Sequence, residues 1–173
     1  RDGSVSNPKY FSIIDALVGR VRDMEDEAGE RMFQEVESYP RADLAEALKK
    51  LLAVRDRVCV LVPDGVSYGS ERQGNELRVS KVVTVILMAS DRDIADRRAA
   101  ALGGGGTVGA MAMAETMAEG LMGDDLGMRG VWVEPGDGEP LYISEEGQAN
   151  GREGWSQELR VRVPGSRATR SRV

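Results

Sequence analysis

Asp91, Asp93 and Asp96 follow a long apolar run at two- and three-residue steps. With Glu115 further on, they are the groups from which this chain could build carboxylate acid/base or cation chemistry. A calcium loop of the EF-hand kind also needs further oxygen ligands, a central glycine and a distal glutamate, and these are missing. The simpler expectation is that Asp91 and Asp93 are first-turn acids of a helix, held by its dipole, with Ser90 and Asp93 forming a capping box. Gly103-Gly104-Gly105-Gly106 stands before a helical segment, where anions can bind. A phosphate loop requires a following lysine, and a dinucleotide fingerprint requires a preceding strand; neither is present. The glycines therefore read as a flexible connection between two helices. No catalytic, cofactor-binding or metal-binding residue is assigned.

Two other residue types narrow the chemistry. The chain has no histidine, which excludes Ser-His-Asp and Cys-His triads and histidine metal sites built from its own residues. The single cysteine, Cys59, lies in the run Val58-Cys59-Val60-Leu61-Val62 and reads as a buried core thiol. The methionines Met111, Met113, Met117, Met122 and Met128 are dense and read as core.

Charge is the remaining asset. The 173 residues carry a net charge of −6, which argues against general binding to nucleic acid or a membrane surface. No window approaches the ~18 apolar residues of a membrane span. The acids concentrate in a run that includes Glu25, Asp26, Glu27 and Glu30, while the far end carries Arg167, Arg170 and Arg172. An acidic segment and a basic tail on one small subunit can pair head to tail between copies, so these seven residues are the candidate inter-subunit contacts.

The elements that must position these groups follow from periodicity. Tyr10–Val21 and Leu44–Val54 show helical spacing, and Arg22–Glu37 is helix-permissive up to Pro40. Val58–Val62 reads as a strand ended by the turn Pro63-Asp64-Gly65, with residues 64–76 as a polar hairpin loop. Leu77–Met88 is β-branched and apolar on both faces at its centre, as in a covered central strand. Helices are expected at Ile94–Leu102 and Val108–Met122. A strand at Val131–Val133, a turn at Pro135–Gly138, a strand at Leu141–Ile143 and a polar loop at 144–153 come next. Trp155–Val163 alternates as a strand with one wet face. The expected class is α+β, with a mainly antiparallel sheet of four to five strands and helices packed on one face. Residues 1–9 are expected to form a flexible arm, 10–163 a single domain, and 164–173 a basic tail.

The run Arg57–Gly65, the polar loop, Leu77–Met88 with Ser90-Asp91-Arg92-Asp93, Gly130–Val133, Glu139–Tyr142 and Trp155–Val163 resembles Mu-like tail terminator proteins of long-tailed bacteriophages. The likeness spans roughly residues 10–163 and lies in element order and texture. It implies a virion subunit that forms a ring, a hexamer in that family, at the head-proximal end of the tail tube. Its partners would be the tube protein, the sheath protein in contractile tails, and the head–tail connector. It implies no reaction and no cofactor. DNA would pass through such a ring, and an acidic lumen would repel the phosphates. The alternatives are another tail-completion, neck or tube-like virion subunit, and, ranked below these, a carboxylate enzyme or small-molecule binder using Asp91, Asp93 and Glu115.

Overall fold

The computed structural model describes residues 8–167, apart from the side chains of Val54, Ser166 and Arg167. In chain order the elements are α1 (Tyr10–Arg22), β1 (Glu35–Ser38), α2 (Leu44–Val54), β2 (Val58–Gln73), β3 (Glu76–Arg92), α3 (Arg97–Leu102), α4 (Ala110–Leu121), β4 (Trp132–Leu141), α5 (Glu145–Ala149) and β5 (Arg152–Arg167). The strands form one five-stranded sheet in the order β1-β2-β3-β5-β4. Only β1 runs parallel to its neighbour, β2; the other pairs are antiparallel. The α+β class and the mainly antiparallel sheet are those expected from the sequence.

The long β-branched segment is the central strand, β3. Its Val83, Val85, Leu87 and Ala89 share one face with Cys59 and Leu61 of β2, Val133 of β4, and Leu159, Val161 and Val163 of β5. Two helices cover that face. Residues Ile13, Leu17 and Val21 of α1 meet it, as do Met113, Met117 and Leu121 of α4. Each such buried side chain contributes about 1.5–3 kcal/mol of transfer free energy. Because strand side chains alternate, Val58, Val60 and Val62 point the other way. They form a second, smaller cluster with Leu44, Leu48, Leu51 and Leu52 of α2. Helices therefore lie on both faces at the β2 end of the sheet, where one helical layer was expected.

Four local expectations are corrected. Arg22–Glu37 does not continue the helix. Asp26 takes the Ala28 and Glu30 N–H groups on one carboxylate oxygen, and Gly29 sits at φ 79°, so the chain turns and returns as β1. Pro63-Asp64-Gly65 does not end β2. It forms a bulge, and pairing with β3 continues to Gln73 opposite Glu76, closed by the two-residue turn Gly74-Asn75. Pro135–Gly138 is likewise a bulge inside one strand, β4. Finally, β5 runs through Arg167, four residues beyond the expected end.

Candidate functional site

Asp91, Asp93 and Asp96 do three separate jobs, none of them a capping box with Ser90. Ser90 is still in β3, and its hydroxyl donates to the Glu153 carbonyl at 3.0 Å. Asp96 caps α3 by accepting the Ala99 N–H. Asp93 accepts the Ala95 and Asp96 N–H groups on one oxygen and the Thr107 hydroxyl on the other, at 2.7 Å. Asp91 is buried, 3% exposed, and accepts the Gly109 N–H at 2.9 Å and the Arg92 N–H at 2.7 Å.

Together Asp91 and Asp93 clamp the glycine loop, which is ordered rather than flexible. Gly104 and Thr107 exchange backbone hydrogen bonds. Gly103 and Gly109 both hold positive φ and pass so close that a Cβ on Gly109 would sit 2.2 Å from the Gly103 nitrogen. The clamp sets the two pKa values apart. Desolvation raises that of Asp91 against its backbone donors. The Thr107 hydroxyl, then the backbone N–H groups, lower that of Asp93.

A buried arginine completes this end of the sheet. Arg152 is 3% exposed and donates to the Asp56 carbonyl at 3.2 Å and to the Arg55 carbonyl, tying β5 to the loop after α2. Arg97 donates twice to one Glu153 oxygen. Among the described residues no buried side-chain nitrogen or oxygen is left without a partner, and no three His, Cys, Asp or Glu side chains could hold a metal ion. Cys59 is fully buried, and burial pushes its thiol up. Glu115 is not part of this cluster; it lies on the exposed side of α4.

The candidate contact acids have different fates. Glu25, Glu27 and Glu30 are exposed in the turn after α1. Asp26 is engaged: its second oxygen takes the Arg57 guanidinium at 3.2 Å, and its backbone donors hold its pKa below the usual carboxylate value. The exposed cations Arg22 and Arg31 share this segment, so the run presents no uniformly acidic face. The Arg167 backbone pairs with Arg78 in the sheet. Arg170 and Arg172 lie outside the described residues.

Two surfaces were not anticipated from the sequence. The first is an arm. Beyond Pro63, β2 is exposed on nearly every residue, as are the first residues of β3. Tyr68, 63% exposed, hydrogen-bonds through its hydroxyl to that of Tyr10. At the arm's root Lys81 donates to the Pro8 carbonyl at 2.6 Å and lies 4.6 Å from the Tyr10 ring centre. The outer edge of β2 is paired with β1 only from Val58 to Leu61. At the other margin, β4 is blunted by its bulge and two prolines, and Val133 exchanges backbone hydrogen bonds with Gly123 and Asp124. Among the described residues the open sheet edge is therefore that of the arm. Its sequence signal is the Gly74-Asn75 dipeptide, a two-residue hairpin turn.

The second is a shallow groove of about 300 Å³ between α4 and the β4 bulge. Met111, Ala118, Met122 and Trp155 give it an apolar floor, and Glu115 and Glu119 stand on the helical side. The bulge forms the opposite wall, where the Gln157 amide donates to the Gly136 carbonyl at 2.9 Å. No helix among the described residues is long and apolar enough to cross a membrane.

No protein-family model matches the chain, and no curated protein matches it. Among solved structures, a chain of the virion of a native gene transfer agent particle is similar at 12% identity and a TM-score of 0.39. The match covers 65% of this chain and 72% of that one. Figures at this level assign neither a family nor a function.

Proposed function

We propose that this chain is a structural virion subunit: a tail terminator that assembles as a ring, six copies by the family likeness, and caps the head-proximal end of a phage tail tube. In this reading it performs no reaction. It contacts the tube protein below, the connector above, and the sheath where the tail contracts. The observation that carries the reading is the arm. A chain that builds a hairpin well past its core, exposed on both faces with an open edge, has made a surface for another subunit. The resemblance to tail terminators in element order supports the same reading.

In such a ring the basic C-terminal segment of one copy meets carboxylates of the next. Intramolecular pairing with Glu25, Glu27 and Glu30 is too far. The turn is tied to Arg57, beside the start of β2, whereas Arg167 pairs near the arm's tip. The thirteen residue steps from Val58 to Glu71 span ~43 Å, and six extended residues reach only ~20 Å.

The test is immunogold electron microscopy of particles from the source with antibody to this chain. Label at the tail–head junction is the expected result. Label at another level of the particle would make it a different neck or tube subunit. Absence of label from every particle would remove the virion reading.

A further inference from the structure

The groove between α4 and the β4 bulge has an unclaimed apolar floor and two carboxylates on its helical wall. Glu115 and Glu119 are exposed, and among the described residues neither makes an ion pair. They stand one helical turn apart, ~6 Å along the axis, on the same side of α4. Residues 168–173, Ala-Thr-Arg-Ser-Arg-Val, lie outside the described residues and carry Arg170 and Arg172. In an extended segment, residues two apart project to the same side at ~6.7 Å. Bound in that form, Arg170 and Arg172 would match the carboxylate spacing. In the same form the alternate residues Thr169, Ser171 and Val173 would be small enough for a shallow channel floored by Met111 and Met122.

We infer that this groove is the socket for residues 168–173 of a second copy, with Arg170 and Arg172 paired to Glu115 and Glu119. The inference rests on the ring reading above and selects the groove, rather than the turn at Glu25–Glu30, as the acceptor. Two observations drive that choice. The turn mixes Arg22 and Arg31 among its acids and has Asp26 already engaged, while the groove adds apolar contact to uncompensated charge. A copy cannot fill its own groove. Pro135, at the near end of the groove, pairs with Leu159, eight residues or ~26 Å before Arg167 on β5, whereas Arg170 lies only three residues, at most ~10 Å of backbone, beyond it, so Arg170 and Arg172 cannot both reach the carboxylates of their own copy. The contact is therefore between copies, and passed from each copy to the next, as the ring reading requires, it is head to tail.

The test uses the full chain and native mass spectrometry over a concentration series. The double reversal Glu115→Arg with Glu119→Arg is expected to weaken self-association at least tenfold, as is Arg170→Glu with Arg172→Glu. The four-fold variant carrying both reversals is expected to regain most of the loss, which also shows that each variant folds. In a Trp132→Phe background Trp155 is the sole tryptophan, and its emission should shift on dilution from oligomer to monomer. Association untouched by the Glu115/Glu119 reversal would overturn the socket and leave the ring intact. So would rescue of the arginine reversal by reversing Glu25, Glu27 and Glu30 instead. A wild-type chain that stays monomeric at every concentration would overturn the ring reading itself, and the socket with it.

Discussion

The Asp91 carboxylate and the Gly109 N–H, eighteen residues apart in sequence, meet at 2.9 Å in the interior and fix the approach to α4. The bond is possible because Gly109 at φ 91° has no Cβ; one there would overlap the Gly103 nitrogen and the Leu102 carbonyl carbon. Gly109→Ala should therefore destabilise the fold by about 3 kcal/mol or more, combining left-handed strain with a backbone clash. Gly104→Ala shares the strain of a positive φ, here 141°, but its Cβ meets open space, so it should cost less by the clash that only Gly109 adds. Urea denaturation of the two variants makes the comparison; equal losses would contradict the close approach.

The two clamp acids should respond to pH with opposite sign. The folded-state pKa of Asp93 is lowered, so it contributes stability above the ordinary 3.8 that is lost as pH falls through its folded value. That of Asp91 is raised, so the folded state binds the proton more tightly. Its contribution falls as pH rises from 3.8 through the folded value. Thr107→Val removes the main cause of the Asp93 shift, so the Asp93 titration followed by NMR should move toward 3.8. An unchanged titration would show that the Thr107 hydroxyl does not set it.

Arg152 holds two carbonyls with two nitrogens of one planar group, a geometry lysine cannot reproduce. Arg152→Lys should cost roughly 1–3 kcal/mol, because a buried carbonyl loses its charged donor. The loss should appear in the denaturant midpoint at unchanged slope. A variant as stable as the wild type would mean that water replaces the guanidinium.

Replacing Glu71–Arg78 by Asn-Gly would close the hairpin at the Ser70–Val79 pair. Because the removed residues are mostly exposed, the melting temperature should change little, while ring formation seen by negative-stain microscopy should be lost. Intact rings from the shortened chain would take the assembly role away from the arm.

The elements whose sequence carries its own period are legible in the sequence alone. The alternation of Trp155–Val163, the apolar stripes of α1, α2 and α4, and the β-branched centre of β3 all have the geometry their spacing implies. What the sequence leaves open is local chemistry that serves two outcomes. Pro63-Asp64-Gly65 and Pro135-Gly136 suit a turn, but a bulge uses the same residues, and only the partner strand decides. β1 buries Val36 between two glutamates, a pattern as helical as it is extended. Parallel pairing with β2 settles it. The clamp is invisible in the sequence because its members come from two segments with a helix between them. The groove is equally hidden, because in sequence Glu115 and Glu119 look like ordinary solvent-facing helix positions.

The small apolar cluster of α2 against Val58, Val60 and Val62 is separate from the main core on the other face of the sheet. β1 is anchored in the main core through Val36, whereas only this small cluster holds α2. It can open by itself while α1, α4 and the antiparallel strands stay closed. Amide hydrogens of α2 would then exchange through this partial opening, at lower free energy than those of β3 and β5. The chain would thus have two cooperative units, the lesser one at the margin of the sheet from which the arm sets out.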